Sequence, residues 1–167
     1  MAKYFKYLLL TAATSILFYG CYSFKGGSVP SHLKTIAIPT FNDQSGFGEP
    51  GLREIFTDIT IERFTQDNSL GLADQKVSDS ILECTIAAVN DEPFVIAAGE
   101  AVTKRKITIT VKAVFKDMKL KKTIYDKQLS NWGEYETSGG PEQRKEAFTT
   151  AINKLAEDIL LETVSGW

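Results

Sequence analysis

Most of the residues that catalysis and metal binding rely on are scarce in this chain. Its 167 residues include one histidine, His32, and two cysteines, Cys21 and Cys84. A single histidine excludes any two-histidine metal site and gives a Ser-His-Asp or Cys-His catalyst nothing to build on. Two cysteines cannot make a disulfide framework. Charge of one sign is also lacking: 19 basic residues face 21 acidic ones, a formal net charge of −2. Nucleic-acid binding usually needs a strongly basic face, so no nucleic-acid partner is expected. Nor does any apolar run reach the roughly 20 residues that a transmembrane helix requires. No cofactor and no metal are expected.

What is present begins at the N-terminus. Met1 to Tyr7 carries Lys3 and Lys6 and no acid, and Leu8 to Tyr19 reads LLLTAATSILFY, uncharged and mostly apolar. Gly20 and Cys21 follow at once. A basic start, a short apolar stretch and a small residue before the cut are the parts of a secretory signal. A cysteine directly after that small residue is the acceptor pattern of bacterial lipoproteins, in which the thiol is acylated and the chain is cut before it. Phe18 and Tyr19 are bulkier than the usual residues at those positions. The reading is a signal peptide over 1–20, a lipidated tether over 21–32 and one domain over 33–167. Acyl chains, at ~0.8 kcal/mol per buried methylene, anchor stably when two or more are present. The cut removes two basic residues and no acid, which leaves 147 residues with a formal charge of −4. With Cys21 lipidated, Cys84 has no partner, and its setting in ECTIAAV makes it a small buried hydrophobe.

The mature chain alternates clearly between periods of two and 3.6. Lys34 to Phe41 puts Ile36 and Ile38 on one face and predicts a strand, with Pro39 at its end or on a sheet edge. A loop with three glycines follows, and a helix opens near Pro50 and runs to about Gln66 with Leu52, Ile55, Phe56, Ile59 and Phe64 at helical spacing. After a polar stretch with a short strand near Leu70 to Ala73, Ser80 to Val89 predicts a strand, and residues 90–102 a connection. Thr103 to Asp117 alternates Ile107, Ile109 and Val111 with Thr108, Thr110 and Lys112, the pattern of a half-buried antiparallel strand. A lysine-rich turn leads to a partner strand over Thr123 to Glu134. A last helix, from about Glu142 to Val164, carries Phe148, Ala151, Ile152, Leu155 and Ile159 on one stripe. The expected fold is a single α+β domain, with two helices packed on one face of a mostly antiparallel four-stranded sheet.

Few constellations suggest chemistry. Gly46-Phe47-Gly48-Glu49-Pro50-Gly51 fits G-x-G-x-x-G literally, but four residues separate it from the strand and Pro50 removes a helix-start N–H. It is read as a flexible loop rather than a dinucleotide site. Asp91-Glu92 reads as a pair of solvated turn residues. His32 falls in the tether. Lys104, Arg105 and Lys106 open the longest strand, with Lys104 and Lys106 on one face and Arg105 on the other. Lys119, Lys121 and Lys122 crowd the hairpin tip. Lysines at such places solvate strand ends and discourage edge-to-edge pairing; they can also meet an anionic partner such as a phosphorylated lipid. Trp132 and Tyr135 are candidates to pack under the last helix.

Cys21-Tyr22-Ser23-Phe24, Pro30 and Leu33-Lys34-Thr35-Ile36-Ala37-Ile38-Pro39-Thr40-Phe41-Asn42 resemble the opening of the lipopolysaccharide-assembly lipoproteins, the LptE family. The resemblance continues through Glu49-Pro50-Gly51-Leu52, Glu62-Arg63-Phe64 and Arg105-Lys106-Ile107-Thr108-Ile109, to Val164-Ser165-Gly166-Trp167. It implies a non-enzymatic role at the outer membrane: a lipid-anchored, periplasm-facing domain that sits partly inside a large β-barrel translocon of the LptD type, supports its assembly and aids lipopolysaccharide insertion. It implies contact with lipopolysaccharide through basic side chains, for which Lys104, Arg105 and Lys106 are the candidates by charge and position. Tyr22 after the acylated cysteine is compatible with sorting to the outer membrane. A lipoprotein subunit of another secretion complex, similar to the curli-export lipoprotein, is the alternative, since that family also opens on a strand of the IAIPTF kind.

Overall fold

The computed structural model describes residues 29–96 and 102–165. The expected signal peptide over 1–20, the expected lipidation site Cys21, most of the expected tether and the C-terminal Gly166-Trp167 lie outside the described residues. Six strands and two helices follow one another as β1 (Thr35–Ala37), β2 (Asn42–Asp43), α1 (Leu52–Asp67), β3 (Gly71–Leu72), β4 (Ser80–Ile96), β5 (Val102–Asp117), β6 (Lys122–Glu136), a 3₁₀ turn (Thr137–Gly139) and α2 (Gly140–Ser165).

The α+β class and the two helices stand, but the sheet corrects the expectation of four mostly antiparallel strands. Its order is β3-β1-β4-β5-β6, with β2 also on β4. The three short strands pair in parallel, β1 with β3 and β4, and β2 with β4. Only the long β4-β5-β6 meander is antiparallel. The reason is the crossover: α1 returns the chain to the same side of the sheet, so the segments around it can only run parallel. Two- and three-residue strands leave almost no periodicity to read.

Alternation along β5 decides which face is buried. Ile107, Ile109, Val111, Ala113 and Phe115 point to the helices and are fully buried, while Lys112 on the other face is exposed. That outer face carries a ladder of charge pairs, Lys112–Asp126 at 3.1 Å and Lys116–Glu83 at 2.5 Å among them. In α2 the expected stripe of Phe148, Ala151, Ile152, Leu155 and Ile159 is buried in full, with Ala147, Ala156 and Leu160 beside it. In α1 the pattern is looser. Leu52, Phe56 and Phe64 are buried, but Ile55 is exposed, and Thr57 and Thr60 are buried in its place. Thr57 accepts the Phe41 N–H at 3.0 Å and donates to the Arg53 carbonyl at 2.7 Å, so its burial leaves no polar atom unsatisfied. The helix also opens later than expected. Gly51, at φ 72°, is its N-cap, and Pro50 stands just outside.

Two further segments differ from their sequence reading. Residues 90–96 continue β4 past a bulge near Ala87 instead of forming a connection, so Asp91 and Glu92 are strand residues. Val29 packs against the core and His32 is half-buried, so the end of the segment read as a tether lies against the domain.

Candidate functional site

The sheet has two chemically distinct ends, separated by the length of β5. Its 16 residues span roughly 50 Å at ~3.3 Å each.

Lys104, Arg105 and Lys106 stand at the end where β5 begins, and the expected division of faces holds. Arg105 turns to the helix side, where its Nε donates to Asp91 Oδ1 at 2.8 Å and its Nη2 to the Asp91 carbonyl at 2.8 Å. The Tyr135 hydroxyl donates to Asp91 Oδ2 at 2.9 Å, and Arg144 approaches the same oxygen at 3.4 Å. Arg144 is tied to Glu49 at 3.0 Å, and its guanidinium stacks 4.9 Å from the centre of Phe148. Asp91 is therefore the hub of a three-donor network, not the solvated turn residue read from the sequence; its side chain is 15% exposed. The hydrogen bond that Arg105 donates to Asp91 raises its guanidinium above its usual pKa. Burial, followed by the bond to Asp91, raises the Tyr135 phenol. For Arg144, burial pulls downward but Glu49 and Asp91 outweigh it, with a net rise.

Lys104 and Lys106 face the other way and are held loosely. Lys104 lies 3.8 Å from Glu134, and Lys106 3.1 Å from Glu92 with its ammonium 5.7 Å from the centre of the exposed Phe94 ring. Pairs whose carboxylate stays open to solvent, as Glu134 at 49% and Glu92 at 52% exposure do, are worth roughly 0–1 kcal/mol. An incoming phosphate can displace either carboxylate at little cost. Displacing Asp91 from Arg105 would strand Arg144 and Tyr135 as well.

Beside this network a cleft of about 580 Å³ opens between the starts of α1 and α2 and the end of β6. Leu52, Ile55, Phe148 and Ile152 line it, with Glu49 and Arg144 among its polar residues. The glycine loop builds one wall. Gly46, Gly48 and Gly51 all adopt positive φ, which only glycine takes readily. The loop is fastened by Phe47, 6.0 Å from Phe148 between ring centres, and by Glu49 on Arg144. It holds an ion pair and an aromatic contact and is not simply a flexible connection. Trp132 is 46% exposed at the edge strand, where the Lys154 ammonium lies 5.1 Å from its ring centre and donates to its carbonyl. Only Tyr135 of the two aromatics turns to the helix side.

The opposite end is built on acids that bind backbone. Asp79 accepts the Lys34 N–H at 2.7 Å and the Thr35 N–H at 3.2 Å, and pairs with Lys119 at 2.8 Å. Asp117, buried at 1% exposure, receives His32 Nε2 at 2.6 Å and the Leu120 N–H at 2.8 Å. Lys119 also donates to the His32 carbonyl at 2.6 Å. His32 is thus clasped to the β5–β6 turn. Both acids are held below the usual carboxylate range. For Asp79 the cause is first the Lys119 ammonium, then the Lys34 N–H. For Asp117 burial acts upward, and the Leu120 N–H and His32 outweigh it.

Sequence reasoning singled out Lys104, Arg105 and Lys106 and did not anticipate the network of Asp91, Arg144 and Glu49. Arg144 lies just past the first turn of α2, and nothing in the local sequence marks its partners Glu49 and Asp91. Among the described residues no group of three His, Cys, Asp or Glu side chains could hold a metal. Cys84 is 5% exposed, and burial pushes its thiol far up.

Among curated proteins none matches the chain. Several solved structures share its fold. Protein XCC0632 from Xanthomonas campestris superposes with a TM-score of 0.59 at 12% identity, covering 83% of this chain and 91% of that one. Lipoprotein B from Nitrosomonas europaea gives 0.55 at 13%, covering 80% and 84%. A minor lipoprotein from Acinetobacter baumannii gives 0.53 at 13%, covering 78% and 91%. At such identities the likeness speaks for the fold alone. The family model described as lipopolysaccharide-assembly, LptE, matches residues 33–163. The chain belongs to that non-enzymatic family of assembly lipoproteins.

Proposed function

We propose that this protein is anchored to the outer membrane through an acylated Cys21 on its periplasmic side. There it stands within a lipopolysaccharide translocon of the LptD type, as plug and assembly support. In this reading the signal peptide spans 1–20, and the lipopolysaccharide meets the basic end of the sheet. The observation that carries the reading is the relation between the two ends. The tether enters beside Asp117, at one end of β5, and the basic cluster lies toward the other, roughly 40 Å away along the strand. A bilayer with its headgroups is about 40–45 Å thick. A domain held at the inner leaflet and standing along a barrel axis would therefore bring Lys104 and Lys106 to the level of the outer leaflet. The polar outer face, with its lysine–carboxylate ladder, suits the polar lumen of such a barrel.

Of the three basic residues, Lys104 and Lys106 are the ones able to exchange partners, and Arg105 serves to hold the strand end in shape. Among the described residues no helix is long and apolar enough to cross a membrane, so anchoring falls to the lipid. The test is an affinity purification of the tagged, detergent-extracted protein from outer membranes. Recovery of one large β-barrel in near one-to-one yield is the expected result. A homo-oligomeric ring without any barrel would sink this proposal in favour of a secretion-complex subunit.

A further inference from the structure

The turn that clasps His32 has an unusual surface. Asp117-Met118-Lys119-Leu120-Lys121-Lys122 closes the β5–β6 hairpin, with the Asp117 carboxylate capping the Leu120 N–H and Lys121 at φ 51°. Leu120 is 59% exposed and Met118 42%. The Met118 N–H donates to the Asp79 carbonyl at 2.9 Å, which sets the turn against the neighbouring loop, where Val77 is 74% exposed. Lys76, Lys121 and Lys122 are exposed around these three apolar side chains. None of their ammonium groups has an ion-pair partner among the described residues. The acids that could neutralise them face inward, Asp79 to Lys119 and backbone N–H groups and Asp117 to His32. The exposed Asp74 lowers the local charge without cancelling it.

The tether ends at this same place. Residues 22–28 separate Cys21 from Val29, so a fully extended tether reaches about 28 Å. Its far end is pinned to the turn by Lys119 on the His32 carbonyl and by His32 on Asp117. Any pose that the anchor permits keeps this end of the domain near the bilayer surface.

We propose that the β5–β6 turn, together with Lys76-Val77, is a membrane-contacting face that seats on an anionic phospholipid surface before the domain enters a barrel. Leu120, Met118 and Val77 enter the headgroup boundary and the three lysines bind lipid phosphates. The proposal rests on Cys21 carrying the anchor, and it adds a second, protein-made contact that orients the domain on its tether.

The test places an environment-sensitive fluorophore at Leu120→Cys in the full-length protein. Buried Cys84 does not compete for the label. Expected is a blue shift on phosphatidylcholine vesicles containing phosphatidylglycerol, a smaller shift on phosphatidylcholine alone, and quenching by brominated acyl chains. A label at Glu142→Cys, at the other end of the domain, stays water-like. Flotation of the wild type against Cys21→Ala reports the anchor separately. For the Cys21→Ala protein, Lys121→Gln with Lys122→Gln should weaken partition to anionic vesicles about 30-fold, at roughly 1 kcal/mol per lysine. Protein that floats while its Leu120 label remains water-like overturns the membrane face and leaves the anchor standing. Protein that neither floats nor shifts removes both. A shift that needs a co-reconstituted barrel assigns the turn to a protein partner and also overturns the proposal.

Discussion

The two ends of this sheet spend their charges differently. At the tether end, Asp79 and Asp117 bind backbone N–H groups and a single histidine, so their work is to hold the incoming chain. At the far end, Asp91 gathers Arg105, Arg144 and Tyr135, so one carboxylate keeps two cations in place. The first arrangement fixes a peptide segment, and the second fixes the shape of a strand end beside a cleft. Counting basic residues would have treated the two clusters as equivalent. Their partners show Lys119 fixed at the tether end and Arg105 and Arg144 fixed at the far end, while Lys104 and Lys106 each have a single carboxylate partner.

The strongest way to break the contrast is at Gly133. A Cβ there would collide with the backbone of Ala147, because α2 lies directly on β6 at this point. Backbone cannot rotate away, so Gly133→Ala should cost about 3 kcal/mol or more. It should lift the start of α2, and Arg144 with it, from the far end. Urea unfolding measures the loss. Hydrogen exchange should show it concentrated in residues 140–150 and 131–136, with the amides of Lys34 and Thr35 still protected. Uniform deprotection of both ends would mean that they are not separable.

Next in size is the hub itself. Asp91→Ala leaves the paired guanidinium groups and the Tyr135 hydroxyl without their common acceptor, and a loss of about 2 kcal/mol is expected. Asp91→Asn keeps an acceptor for Tyr135 and should lose less. Equal losses for the two variants would show that the charge, and not the acceptor oxygen, is what Asp91 contributes. Cys84 offers an internal reporter in both. Its raised pKa and burial predict negligible modification by a maleimide in the native state, and labelling should track the unfolded fraction.

How much of this was legible in advance follows element length and spacing. Ile107 to Phe115 and the Phe148 to Ile159 stripe are long and regular, and their buried faces match the pattern. β1, β2 and β3 are two or three residues each, too short for a period, so the parallel half of the sheet could not be read. The Asp91 hub was invisible for another reason: Glu49, Asp91, Tyr135 and Arg144 are brought together only by the packing of α2 on β6. Lys104 and Lys106 could be assigned to one face because alternation alone decides it. Arg105's carboxylate partner comes from the neighbouring strand, in a segment read as a connection.

The tether end predicts a pH dependence of stability. Asp79 and Asp117 titrate below their ordinary values in the folded protein, and an unfolded aspartate titrates near about 3.9. Their contribution is therefore present above about pH 4 and is lost as pH falls through the folded values. Asp117→Asn should cost about 1 kcal/mol at neutral pH and flatten the acid limb of the stability curve, as should Asp79→Asn. Urea midpoints measured across the acid range check this. An unchanged slope in both variants would mean that the clasp is not an ionic one.

The smallest expected effect on stability is the most informative about function. Lys104→Ala with Lys106→Ala removes two half-exposed ion pairs, and stability should change by no more than about 1 kcal/mol. Arg105→Ala, by contrast, breaks into the Asp91 network and should lower the urea midpoint visibly. If lipopolysaccharide meets this end, the lysine pair should weaken its binding while leaving the fold alone. Arg105→Ala should weaken it only in proportion to the unfolding it causes. Binding to purified lipopolysaccharide, compared at matched folded fractions, separates the two. A result in which Arg105→Ala alone abolishes binding would transfer the contact from the loosely paired lysines to the helix side of the strand, next to the cleft and Arg144.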